Sequence, residues 1–204
     1  MFEEHIRKFT ARFAGWGGQG NIMAGMVLSQ AATFERKYVV QTQNHGAQQQ
    51  GGVSRSDVVI SDSQINFPEA DAFNVLVALN QEVLDKFGTQ LKSNNLLIVD
   101  TTYCDRLSAR LFYLTKSIVA YPFSRKAEKL FGKEVIANII ALGVIARHCD
   151  VVKYESVKQA VAERVPKAAL QMNMEALELG YNMEIQEMSL DESVDLKTLA
   201  RKYL

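Results

Sequence analysis

Gly15, Gly17, Gly18 and Gly20 sit in the stretch FAGWGGQGNIMAGMVLSQAA with the spacing G-x-G-x-x-G. Where a strand hands over to a helix, glycines so spaced let main-chain N–H groups approach a phosphate, and the helix dipole adds partial positive charge. The same glycines also serve a tight β-to-α turn with close helix–sheet packing and no ligand. Nicotinamide dinucleotide binding asks for one element more, a carboxylate about 20 residues further on that takes the ribose hydroxyls. Here the second strand runs into Gln41, Thr42, Gln43 and Asn44, while Glu35 precedes it. The turn therefore lacks the usual nicotinamide partner, and two readings stand: a place for an anion, a cofactor phosphate or another subunit's polar loop, or a tight turn that serves packing alone.

A second segment, QTQNHGAQQQGG, has almost no apolar content. Its Gln, Asn and Gly residues supply hydrogen-bonding groups, and Gly46, Gly51 and Gly52 permit close backbone approach. Ser54 and Arg55 follow at once.

The elements around these two segments can be read from periodicity. Lys8 to Gly15 alternates, with Phe9, Ala11 and Phe13 on one side, and predicts a strand. Ile22, Met23, Met26, Val27 and Ala31 recur at helical spacing between Gly20 and Thr33. Lys37 to Thr42 predicts a second strand, which makes the opening a βαβ candidate. VSRSDVVISDSQIN reads as two short strands about the turn Ser61-Asp62-Ser63. FNVLVAL (73–79) and LLIVD (96–100) are apolar enough to be buried on both faces of a sheet. Asn80 is placed to cap the helix between them, which closes on Gly88. SIVAY (117–121) predicts a further strand.

Beyond Pro122 the chain turns helical, with Ser124 as a cap, one helix over 133–148, a second over 155–165 and a third over 167–179. The expected fold class is α/β, a three-layer α/β/α single domain over 1–204, with a mixed sheet, a helical C-terminal part and an arm from about 181.

Composition bounds the partners. The 204 residues carry 23 Lys and Arg against 23 Asp and Glu, so no global field favours nucleic acid or an acidic membrane. The apolar runs are too short or too interrupted to span a bilayer. Cys104 and Cys149 lack the spacing of a zinc or iron–sulfur site, and no secretory leader is legible, so a reducing, cytoplasmic location is expected. His5, His45 and His148 have no nucleophile or carboxylate at a recognisable spacing, so neither a catalytic nor a metal-ligating set emerges.

Taken together, GWGGQGNIMAGMVLSQAA followed by HGAQQQGGVSRSDVVISD resembles the gamma subunit (gamma domain) of the 2-oxoacid:ferredoxin oxidoreductases. The later segments VLVALNQEVLDKF, NLLIVDTTY, YPFSRKAEKLFGKEVIANIIALGVIA and NMEALELG resemble that family in the same order. The likeness runs from about Phe13 to Gly180, and SRSDVVIS leans toward the 2-oxoglutarate branch.

The resemblance implies a subunit not active alone, in a thiamine diphosphate enzyme that decarboxylates a 2-oxoacid, yields an acyl-coenzyme A and reduces ferredoxin. Thiamine diphosphate, Mg and iron–sulfur clusters are then expected on alpha and beta subunits and a possible ferredoxin-like delta. Coenzyme A is expected at a shared cleft. The residues carried to that cleft are Gly15, Gly17, Gly18, Gln19 and Gly20 of the first segment. From the second come Gly46, Gly51, Gly52, Ser54 and Arg55. The family usually has an arginine before the glycine pair and an aromatic residue before the earlier glycine; this chain has Gln50 and His45 there. Arg55 is the nearby replacement charge.

Two other readings stand beside it: a stand-alone Rossmann-like nucleotide-binding oxidoreductase, and a non-catalytic interaction module. Trp16 reads either as packing on the adjacent helix or as an interface anchor. Asn138 interrupts an apolar helix and is expected to bond a neighbouring loop.

Overall fold

The computed structural model describes residues 8–45, 52–68 and 71–187. The strands are β1 (Lys8–Trp16), β2 (Tyr38–His45), β3 (Val53–Ser61), β4 (Phe73–Ala78), β5 (Leu91–Asp100), β6 (Ser117–Tyr121) and β7 (Gln186–Glu187). The helices are α1 (Asn21–Phe34), α2 (Gln81–Phe87), α3 (Ala109–Leu114), α4 (Phe123–Phe131), α5 (Ala137–His148), α6 (Tyr154–Arg164) and α7 (Leu170–Tyr181). One mixed sheet has the order β2-β3-β1-β4-β5-β6-β7. Strands β1, β4, β5 and β6 run parallel, β3 lies antiparallel between β1 and β2, and β7 is antiparallel to β6.

The expected three layers are present, and they are unequal. One face of the sheet carries α1, α4, α5, α6 and α7, which bury Ala11, Phe13, Val75, Val77 and Ile98. The other carries α2 and α3 over Ala14, Leu76, Ala78, Leu97 and Val99. Successive side chains of a strand point to opposite faces, so a strand covered on both sides reads as an unbroken apolar run. Leu97 and Ile98 illustrate the result, adjacent in sequence and fully buried in different cores. Each contributes about 1.5–3 kcal/mol by leaving water.

Several local expectations are corrected. VSRSDVVISDSQIN holds one strand, because β3 ends at Ser61 and the Ser63 amide bonds the Ser61 hydroxyl at 3.2 Å in a turn. Helix α4 starts on Pro122, whereas Ser124 lies inside it and gives its amide to Asp100 Oδ2 at 3.1 Å. The helix expected over 133–148 starts at Ala137 after a 3-10 turn, and that expected over 167–179 starts at Leu170. Asn80 does cap α2, accepting from the Val83 amide at 3.0 Å.

The opening also departs from a simple βαβ unit. Helix α1 leads from β1 to β2, but β3 is inserted between those strands. The chain leaves β1 toward the β3–β2 side, while β4 lies on the other side and continues through α2 to β5. The topological switch point therefore lies between β1 and β4, and the crevice expected of open α/β sheets falls beyond the C-terminal ends of those strands.

Candidate functional site

The glycine turn occupies that crevice. Strand β1 delivers Trp16, a four-residue turn follows, and α1 starts at Asn21 with Gly20 as its N-cap. Gly18 and Gly20 have φ of 91° and 79°, left-handed values that explain glycine at both. No side chain caps α1, its first turn holds no acidic residue, and its first internal bond runs from the Ala24 amide to Gly20 O at 3.1 Å. The amides ahead of Ala24 have no intrahelical acceptor, so the helix start presents donors and partial positive charge. Gly17 and Gly18 are exposed and face open space.

Gly52, the described end of the second glycine segment, comes to the same place. The Gly17 amide donates to Gly52 O at 3.2 Å, and the β1–β3 register pairs Trp16 with Val53 and Gly15 with Ser54. Ser54 is buried, and its carbonyl accepts from Asn21 Nδ2 at 3.3 Å. Arg55 alternates to the other face, where its guanidinium lies 5.7 Å from the Phe87 ring centre and 4.0 Å from Asp57. The structure thus gathers Gly15, Gly17, Gly18, Gln19, Gly20, Gly52 and Ser54, and sets Arg55 apart. Gly46 and Gly51, with Gln50, lie outside the described residues.

The turn is braced by side-chain amides, most of them without a motif of their own in the sequence. Gln19 folds back so that Oε1 accepts from the Trp16 amide at 2.6 Å, with Nε2 3.5 Å from Leu79 O. Three asparagines stand at helix starts around it: Asn21 in α1, Asn80 at α2 and Asn138 in α5, each at most 2 % exposed. Asn21 Nδ2 donates to Trp16 O at 3.4 Å, and Asn138 Nδ2 donates to Gln19 O. Each of the three keeps one amide atom without a hydrogen-bond partner among the described residues. Buried polar atoms of that kind are uncommon in folded proteins.

Trp16 packs edge-on against Tyr103, with ring centres 5.1 Å apart. The Tyr103 hydroxyl donates to Glu134 Oε1 at 2.8 Å, and burial first, then that bond, pushes its pKa up to about 12. Val135 forms an exposed apolar rim beside the turn at Gly20, and Met23 in α1 and Leu130 in α4 are exposed as well.

Behind Arg55, Arg12 forms a buried bidentate pair with Asp57 at 2.6 and 2.7 Å. Its guanidinium lies between Phe73 and Phe87, 4.4 and 4.7 Å from their centres. Only the type of a β1 residue, a lone Arg in an apolar strand, hinted at this pair.

The turn, the paired second segment and the apolar rim extend over a chain whose residues 10–183 match the pyruvate ferredoxin/flavodoxin oxidoreductase family. The chain belongs to that family. It is similar to the 2-oxoglutarate synthase subunit KorC of Methanocaldococcus jannaschii, 36% identical over 174 residues, covering 84% of this chain and 91% of the relative. The fold is similar to the crystal structure of the keto/oxoacid ferredoxin oxidoreductase gamma subunit from Geobacter sulfurreducens, with TM-score 0.76 and 34% identity. That likeness covers 86% of this chain and 95% of the other. A longer family member, the ketoisovalerate oxidoreductase subunit VorA of Methanothermobacter thermautotrophicus, is 31% identical over 172 residues. Those cover 83% of this chain and 35% of VorA.

The two cysteines fall in separate cores, Cys104 with α2 and α3 and Cys149 with α5, so an iron–sulfur cluster does not fit this chain. Among the described residues no three His, Cys, Asp or Glu side chains are grouped to hold a metal, and no helix is long and apolar enough to cross a membrane.

Proposed function

We propose that this chain is the gamma-type subunit of a 2-oxoacid:ferredoxin oxidoreductase of the 2-oxoglutarate branch. In that reading its glycine turn and the segment ending at Ser54 form one wall of a coenzyme A cleft that partner chains complete. The observation that carries it is the Gly17–Gly52 bond, which ties the glycine turn to the end of the second glycine segment at the head of an uncapped helix. Backbone N–H groups at such a place suit the phosphates or amides of coenzyme A.

KorC and the Geobacter protein support the branch and the subunit type by name. VorA supports the partnership, because there a similar domain is about a third of one longer chain, and a separate chain must find the rest by association. The exposed Val135 beside the turn, with the exposed apolar side chains of Met23 and Leu130, suits that association. Thiamine diphosphate on the partner chains supplies the stabilised carbanion that decarboxylation of a 2-oxoacid needs. This chain's part is to orient the acyl acceptor and exclude water, and it contributes no nucleophile or general base.

A stand-alone nucleotide-binding oxidoreductase is disfavoured by the insertion of β3 beside β1 and by the absence of a carboxylate in β2. An interaction module whose turn touches only protein shares the apolar rim and differs in having no coenzyme A dependence. The test is to reconstitute the complex with Gly18 or Gly52 replaced by a bulky residue. A raised KM for coenzyme A or failed assembly is expected; unchanged KM, turnover and assembly in both variants refutes the reading.

A further inference from the structure

Asn138 sits in the first turn of α5 among Ile136, Ala137, Ile139 and Ile140, all buried, and is itself 1 % exposed. An apolar residue is the ordinary choice at such a position. Its Nδ2 instead donates to Gln19 O, 119 residues earlier in the chain, and its Oδ1 has no partner among the described residues. A carbonyl oxygen only accepts, so that bond fixes which end of the amide faces the turn. Leaving half of a buried amide unsatisfied costs free energy that a leucine of similar size avoids.

Gln19 hands the constraint on, because its side chain holds the Trp16 amide at 2.6 Å. Gly20 closes against the same asparagine, and a Cβ there would stand 3.3 Å from Asn138 Nδ2 and 2.8 Å from Val135 Cγ2. The turn is thus gripped at Trp16, Gln19 and Gly20, its Gly17 amide is tied to Gly52 O, and Gly17 and Gly18 stay exposed between those grips.

We infer that Asn138 is a positioning residue that, from the start of α5, sets how the exposed backbone of Gly17 and Gly18 is presented to the crevice. Its importance for turnover rests on the reading of that crevice as part of a coenzyme A cleft. Its effect on the turn does not.

Trp16 is the single tryptophan of the chain, and its amide is one of the gripped groups, so its emission reports the turn. Asn138→Leu removes both polar atoms at similar volume. Asn138→Asp keeps the shape, removes the donor and serves if the leucine variant does not fold. In the full chain both variants are expected to shift Trp16 emission and to speed hydrogen exchange at residues 16–20 by about tenfold or more. Protection of residues 139–145 is expected to stay as it was. In the assembled oxidoreductase the same variants are expected to raise KM for coenzyme A about tenfold with kcat within about twofold. Unchanged emission and turn exchange in Asn138→Asp overturns the inference whatever the kinetics. A loosened turn with unchanged KM upholds the role of Asn138 and overturns the coenzyme A reading instead.

Discussion

The amide of Gly17 and the carbonyl of Gly52, 35 residues apart in the chain, are joined by a hydrogen bond of 3.2 Å. That bond ties the glycine turn to the end of the second glycine segment, and it predicts a graded response to alanine along the turn. Gly17 has ordinary φ and open space, so Gly17→Ala is expected to change stability by less than about 0.5 kcal/mol. Gly18 has open space but φ of 91°, so Gly18→Ala is expected to cost about 1–2 kcal/mol of backbone strain. Gly20 combines φ of 79° with the contact on Val135, so Gly20→Ala is expected to cost more than either. Urea unfolding of the three variants checks the order.

Arg12 and Asp57 are 3 % and 5 % exposed, and their pairing is expected to be asymmetric under mutation. Asp57→Ala takes the bidentate carboxylate away from a buried guanidinium that lies between two aromatic rings and is expected to destabilise by about 3–5 kcal/mol. The double change Arg12→Met with Asp57→Leu removes both charges and is expected to recover most of that loss. A double-mutant cycle in urea measures the coupling.

Half of this architecture was legible in the residues and half was not, for physical reasons. FNVLVAL and LLIVD announced strands buried on both faces, because nothing polar interrupts them. The Asn80 cap was equally plain, since its type, position and following helix agree. The insertion of β3 between β1 and β2 was hidden, because strand order depends on long-range pairing that leaves no local periodicity. The site divided in the same way. Glycine spacing marks a turn and Asn138 was expected to bond a neighbouring loop, as it does at Gln19 O, whereas which loop it reaches depends on elements that meet only in three dimensions. Arg55 was carried to the cleft by the resemblance, as a charge in place of the family arginine, and β-strand alternation sends it to the face opposite Ser54.

Burial and the neighbouring Asp150 raise the Cys149 thiol to about 12, and burial raises Cys104 as well. The thiolate is the reactive form, so both cysteines are expected to react with a thiol reagent near pH 8 on the order of a thousandfold more slowly than in the unfolded chain. Raising the pH is expected to speed labelling of the native chain more steeply than that of the unfolded one. Labelling kinetics with and without urea read both effects.

Asp100 is fully buried, and desolvation raises its pKa against the opposing hydrogen bonds from Ser124 and Thr102. The folded state then holds this proton more tightly than the unfolded state does. Its contribution to stability is greatest below the ordinary carboxylate value of 3.8 and declines as pH rises from there through the folded value. Asp100→Asn removes that slope, so the stability difference between variant and parent is expected to move in favour of the variant as pH rises from about 4 toward 7. Unfolding free energies along that series check the sign.

Hydrogen exchange in the reconstituted complex, measured with and without coenzyme A, bears most directly on the shared wall. Slower exchange at residues 15–20 and 52–55 together, on addition of coenzyme A, is the expected result. Unaltered exchange at both segments while coenzyme A is turned over would contradict it.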